Sequence, residues 1–166
     1  MSYDGREVAN FILDTCEGDQ RSVTNLALQK ITYFCHAWTL VRLRRPLIRH
    51  KFEAWELGPV LPYLYREFRS YDRSPIQGRA KRINRHSGAL EVVPYAFDAT
   101  TEEVLMEVVG FYSRMRAGDL VELTHAVGSP WYRVWNHESV ALPGMQIDDA
   151  ETEAFYSKVR APFTKQ

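Results

Sequence analysis

Thr24-Asn25-Leu26-Ala27-Leu28-Gln29-Lys30-Ile31-Thr32-Tyr33-Phe34-Cys35-His36-Ala37-Trp38-Thr39-Leu40-Val41 is the stretch on which the fold turns. Leu28, Ile31, Phe34 with Cys35, Trp38 and Val41 recur at intervals of three and four, which aligns them along one side of an α-helix. Thr24 stands where a hydroxyl can accept a hydrogen bond from a free amide of the first turn. Arg44-Arg45-Pro46 closes the run, because proline disfavours helical backbone in the residue before it. The spacing predicts a helix of about eighteen residues lying at the centre of the core.

Outward from this helix the chain stays mainly helical. Upstream, Val8, Phe11, Ile12 and Thr15 share one face between Asp4 and Cys16, and Gly18 offers a stop. Downstream, Phe52-Glu53-Ala54-Trp55-Glu56-Leu57 alternates with period two and reads as a short strand. Gly58-Pro59 then reads as a turn, with Pro59 opening a third helix through Val60, Leu61, Leu64, Tyr65 and Phe68, and Pro62 in its first turn. Pro75, Gly78, Gly88 and Pro94 break up the next region, where Arg85-His86-Ser87-Gly88-Ala89 fits the turn of a hairpin. Thr100 with Glu103 fits a capping box before Val104, Val108, Phe111, Tyr112 and Met115. Asp119 to Val127 predicts another helix, with Gly128 as its cap, and Ser129-Pro130 starts a short turn holding Trp131, Val134 and Trp135. Leu142-Pro143-Gly144 reads as a loop before a last helix, which Asp148 and Glu151 open and Pro162 ends. The fold class expected is mainly α (α+β): one compact domain over 1–166, with about six helices and a small antiparallel β-hairpin.

Composition narrows the function. The 166 residues carry 21 Lys+Arg against 21 Asp+Glu, which excludes a globally basic nucleic-acid binder and an acidic disordered tail. Hydrophobic residues make up 45%, enough for a real core, yet no apolar run exceeds three residues, as in Phe11-Ile12-Leu13, so no membrane span is expected. Met1 to Arg6 lacks the pattern of a secretory signal, and the two cysteines are too few for a disulfide framework, so a cytoplasmic protein with buried thiols is expected. Neutrality on average conceals a division: residues 42–85 hold twelve basic and four acidic side chains, and the remainder nine and seventeen. This basic middle either forms a cationic face or pairs with the acidic C-terminal half.

Motifs for chemistry are wanting. His36, His50, His86, His125 and His137 show no Cys-x-x-Cys, His-x-x-x-His or His-Glu-x-x-His spacing, so no metal is expected. His36 reads as a core-edge imidazole with one backbone hydrogen bond. Glu122 and His125 would share a helix face, but no nucleophile elbow accompanies them, and Gly88 and Gly128 stand alone rather than in a phosphate-binding loop. Neither an enzyme nor a cofactor is expected. Large side chains are in surplus: Trp55, Tyr63, Tyr65, Tyr71, Trp131, Tyr132 and Trp135 exceed the obvious needs of one core, and tyrosine, tryptophan and arginine are enriched at protein-binding hot spots. Of these, Tyr63, Tyr71 and Tyr132 are expected to be the exposed ones. The reading from chemistry is an α-rich interaction domain.

Three blocks of the sequence, in order, resemble the Panacea-domain (SocA-like) antitoxins: Leu28 to Trp38; Phe52 to Tyr65 with Ala54-Trp55, Gly58-Pro59-Val60 and Pro62-Tyr63-Leu64-Tyr65; and Leu123-Thr124-His125 followed by Gly128-Ser129-Pro130-Trp131 and Trp135. The resemblance is strongest over 24–135. It implies a compact helical antitoxin that neutralises, by direct binding, a cognate toxin encoded nearby. In at least one relative a ClpXP-type protease receives the toxin from such an adaptor. Thr32 stands where the family usually has an aliphatic residue, so its hydroxyl would need a partner, such as the carbonyl one turn back. Two candidate partner-binding patches follow: the corner of Trp55, Gly58, Pro59, Tyr63 and Tyr65, with Trp131 from the third block; and the basic hairpin of Arg79, Arg82 and Arg85. For the corner, an architectural role for Gly58-Pro59 competes with a binding one. The alternative function is a nucleic-acid-binding regulatory protein that uses the basic 79–85 segment.

Overall fold

The computed structural model describes residues 1–139 and 143–163. Its longest element is the helix expected at the centre, α2 (Asn25–Leu43), with the Thr24 side chain accepting from the Ala27 amide and Arg44 closing it at a left-handed φ of 56°. Periodicity predicts one buried stripe, but α2 is buried all round from Leu28 to Leu40, including Gln29, Lys30, Thr32, His36 and Thr39. The reason is that neighbours wrap it: α1 (Gly5–Gly18), α3 (Pro62–Phe68), α4 (Ala99–Tyr112), α5 (Ala117–Thr124) and α7 (Asp149–Ser157) all pack against it. A short α6 (Pro130–Trp135) completes seven α-helices among the described residues.

Two separate antiparallel ribbons accompany the helices. In the first, β1 (Glu53–Trp55) pairs with β2 (Gly58–Val60); in the second, β3 (Lys81–Ile83) pairs with β4 (Leu90–Val92). The chain is thus mainly helical with small antiparallel sheets, as the sequence predicts, and the 85–89 turn falls inside the expected hairpin.

Several boundaries need correcting. Gly58-Pro59 does not turn the chain; the turn is Glu56-Leu57, Gly58–Val60 is a strand, and α3 starts at Pro62. The cap of α4 is Asp98, not Thr100: its carboxylate accepts from the Thr101 amide, the Thr100 and Tyr3 hydroxyls and Arg45, which a threonine hydroxyl could not match. Helix α5 ends at Thr124, so Gly128 (φ 81°) lies in the link to α6 and caps nothing. Ser129 caps α6 as expected, and Asp148 caps α7, which stops at Ser157, well before Pro162. Helix α1 continues through Gly18 to a cap at Asp19. Leu142 lies outside the described residues; Pro143–Met145 is a 3-10 turn.

One hydrophobic core joins these elements. Its centre is aromatic: Phe34 stacks on Tyr112 at 4.1 Å between centroids, and Trp38 Nε1 donates to Tyr112 Oη at 3.0 Å. Cys16 and Cys35 are buried free thiols. Thr32 is a correction: its buried Oγ1 has no hydrogen-bond partner among the described residues, so the carbonyl one turn back is not used. Thr39 does make that bond, to Cys35 O at 2.7 Å.

Candidate partner-binding site

The three sequence blocks meet at one place, over the N-terminal half of α2. Asn25, Gln29 and Lys30 all point polar groups at the backbone of residues 59–65. Gln29 Oε1 accepts from the Leu61 amide at 3.1 Å, while its Nε2 donates to Asn25 Oδ1 at 3.0 Å. Asn25 Nδ2 donates to Tyr65 O at 3.1 Å, and Lys30 Nζ to Pro59 O at 2.8 Å. Strand β2 and the start of α3 are therefore satisfied by buried side chains rather than by a larger sheet. Lys30 is fully buried with that carbonyl as its acceptor, and burial lowers its pKa to about 7.

Gly58 is required here on two counts. Its φ of 109° suits glycine, and an added Cβ would lie 2.6 Å from Thr124 Oγ1 and 2.8 Å from Lys30 Cε. The third block closes over it. Ser129 Oγ donates to Thr124 O at 2.9 Å, and Trp131 Nε1 donates to Trp55 O at 2.7 Å. His125 stacks on Trp131 at 3.7 Å with rings 9° apart, and Trp135 stacks on Trp131 at 5.6 Å. Burial, followed by the nearby Lys30 charge, holds the His125 pKa below its ordinary value. His125 sits at the cap of α5 facing the indole, with its Nε2 buried and without a hydrogen-bond partner among the described residues. Its ring is a packing group under the third block.

The sequence-predicted site residues separate into two sets. Gly58, Pro59 and Trp131 are buried, and Tyr63 is half-buried with its hydroxyl accepting from the Gly5 amide at 2.7 Å. Tyr63, Tyr71 and Tyr132, expected to be exposed, are all half-buried against the core; Tyr71 Oη accepts from the Gly78 amide at 2.9 Å. Trp55 and Tyr65 form an edge-to-face pair, half open to solvent. The structure thus brings Trp55, Gly58, Pro59, Tyr65 and Trp131 together; the basic hairpin meets α3 at Glu67, whose carboxylate accepts from the Lys81 amide at 2.9 Å.

On that hairpin, Arg79 is held by Asp14 and Glu17, and Arg82 by Glu91. Arg85 and Lys81 are exposed, and their side-chain cations form no ion pair among the described residues. Elsewhere the basic middle does pair with the acidic C-terminal half: Arg42 with Glu107, Arg44 with Glu153, Arg45 with Asp98 and Lys51 with Asp149. The hairpin flanks a groove of about 760 Å³ shared with Arg6 and Arg49.

Sequence reasoning missed Asn25, Gln29 and Lys30, because a polar residue in a helical pattern gives no local sign that it will be buried against another segment's backbone. It also missed the exposed apolar residues Ile83, Leu90 and Val92 on the hairpin, and Leu57, Leu123 and Val127, which join Trp135 as exposed apolar side chains of the second and third blocks and the link between α5 and α6. His36 goes further than its expected backbone bond. Its Nδ1 accepts from the Ile48 amide, which leaves Nε2 to donate to Asp149 Oδ1 at 2.9 Å. No group of three or more potential metal ligands occurs among the described residues. Nor is any helix of the described residues long and apolar enough to cross a membrane.

Comparison with known proteins places this arrangement in a class. The pattern of the family described as "Antitoxin SocA-like, Panacea domain" matches residues 28–132, a span that contains Gln29, Lys30, Gly58, Thr124 and Trp131 but neither Asn25 nor Trp135. The chain belongs to this family. It is 38% identical over 150 residues to Antitoxin SocA of Caulobacter vibrioides (strain NA1000 / CB15N), covering 90% of this chain and 80% of that protein. No solved structure matches it.

Proposed function

We propose that this chain, acting over 1–166 as one unit, is the antitoxin of a toxin–antitoxin pair and inhibits a toxin encoded beside it by binding it directly. The observation that carries this reading is the 38% identity to an antitoxin along nearly the whole chain, in a family that is not generally enzymatic. The physics of the site is consistent with binding. Polar groups of α2 hold the backbone of β2 and α3 in one shape, so little ordering would be needed on association. Keeping a toxin silent requires nearly every copy bound, which calls for nanomolar affinity, about −12 kcal/mol. A standard interface of roughly 800 Å² per partner with a few aromatic or arginine anchors reaches that. Two surfaces carry candidates for such anchors: Trp55 with Tyr65 beside the half-buried Tyr63 and the buried Gly58, Pro59 and Trp131, and the hairpin, where Arg85 is unpaired while Arg79 and Arg82 are held by acids.

The test is growth. The product of the adjacent open reading frame should arrest cells when expressed alone, and co-expression of this chain should restore them. A harmless neighbour, or arrest that persists, contradicts the reading. Repeating the rescue in a host without its ClpXP-type protease separates inhibition by binding, where rescue survives, from delivery for degradation, where it is lost.

A further inference from the structure

The second hairpin is built as a fixed root with an open tip. Asn10, buried in α1, donates to Ala80 O at 3.0 Å and Val93 O at 2.9 Å and accepts from the Ala80 amide at 2.8 Å. Arg79 is clamped to Asp14 and Glu17 on the same helix. Beyond this root, Ile83, Leu90 and Val92 are 66%, 65% and 51% exposed.

The register shows which edge is free. The bonds from Val93 N to Ala80 O and from Asn84 N to Ala89 O bracket the ladder, so Arg82 and Glu91 between them are the pair that exchanges bonds. The backbone groups of Lys81, Ile83, Leu90 and Val92 therefore point outward from the ribbon. On the β3 side, Glu67 takes the Lys81 amide at 2.9 Å and Arg6 reaches Lys81 O at 3.4 Å. On the β4 side, the outward groups of Leu90 and Val92 have no partner among the described residues. Directly opposed residues share a face, so Ile83 with Leu90, and Lys81 with Val92, make one apolar face with a lysine at its end. Arg82 and Glu91 neutralise each other on the other face.

We propose that the β4 edge receives an extended segment of the toxin as a third strand of this ribbon, with apolar side chains two residues apart and acidic residues flanking them. This rests on the antitoxin reading and specifies its contact. Apolar side chains of the segment cover Ile83, Leu90 and Val92. The flanking carboxylates meet Lys81 and Arg85, the two cations of the ribbon that lack a partner. Main-chain bonds to Leu90 and Val92 supply affinity that tolerates sequence change in the partner, and the side-chain pattern supplies selectivity. Charge argues against a second copy of the chain as occupant: residues 79–93 carry four basic side chains against Glu91 alone, and two such edges repel. Nucleic acid fits less well, because Arg79 and Arg82 are already neutralised and three apolar side chains would face phosphate.

The experiment uses the full chain and the product of the adjacent open reading frame. In their complex, the amides of Leu90 and Val92 exchange at least about tenfold more slowly than in the free chain. Val92→Pro removes an outward N–H without touching the bonds between β3 and β4, a position where an edge strand tolerates proline. This variant keeps the thermal unfolding of the wild type and loses about tenfold or more in affinity for the toxin; Lys81→Glu with Arg85→Glu loses affinity as well. A complex that forms while both amides exchange at their free rate, and that Val92→Pro does not weaken, overturns the β4 edge but leaves the antitoxin reading standing. Failure of the wild type to bind overturns both. Protection of these amides in the free chain as its concentration rises, or retention of a DNA duplex with steep salt dependence that charge reversal abolishes, assigns the edge to a second copy or to nucleic acid and also overturns it.

Discussion

A lysine ammonium enclosed by carbon, with one carbonyl to bond, gives up its proton more readily than one in water. Lys30 is such a group, its pKa lowered from 10.5 to about 7 by burial. The unfolded chain then binds more protons than the folded one between those values, so stability rises with pH across that interval and is lost as pH falls toward 7. The full contribution is on the order of 5 kcal/mol. Tyr112, which burial raises to about 12, acts in the opposite sense: its contribution is lost as pH rises above 10. We therefore predict that the free energy of unfolding in urea climbs between pH 7 and pH 10, and that Lys30→Met flattens the climb. An unchanged slope in the variant would show that Lys30 does not titrate in the folded protein. His125, the neighbouring imidazole, already has a lowered pKa and titrates below this window.

At the scale of elements, what the sequence disclosed depended on whether the signal was local. The spacing in 24–41 is local and dictates α2; the Arg85-His86-Ser87-Gly88-Ala89 turn is local and dictates the second hairpin. The Gly58-Pro59 step is not. Lys30 and Thr124 leave no room for a side chain at position 58, a constraint reaching across 28 and 66 residues of chain that no window around that position contains, and so a strand read as a corner. The candidate site shows the same limit. The blocks that compose it are visible as sequence, while the burial of Trp131 and the half-burial of Tyr63 follow from partners elsewhere, Trp55 O and the Gly5 amide. Asn10 is a further long-range device, and it predicts an effect confined to one element. Asn10→Ala leaves Ala80 N and Val93 O without their buried partner and Ala80 O with the Val93 amide alone, which should cost about 2–3 kcal/mol. Hydrogen exchange should accelerate at residues 79–93 while α2 stays protected. Uniform acceleration would mean that Asn10 supports the core rather than the hairpin.

Across the whole molecule, charge separated along the sequence is largely brought back together by folding. Arg42, Arg44, Arg45 and Lys51 meet acids from α4, α7 and the α4 cap, so the cationic middle does not survive as a continuous face. What remains exposed includes Arg66, Arg69 and Arg73 in and just after α3, Lys81 and Arg85 beside an open strand edge, and the half-open Trp55–Tyr65 pair beside Leu57 and Trp135. Such a surface suits recognition of one protein partner better than diffuse attraction to polyanions. The antitoxin reading requires binding tight enough to hold a toxin inactive. It is decided by calorimetric titration of the purified chain into the product of the adjacent open reading frame. A saturable complex with Kd of about a nanomolar or below is expected; no heat of binding, or an affinity weaker than about a micromolar, would overturn the reading.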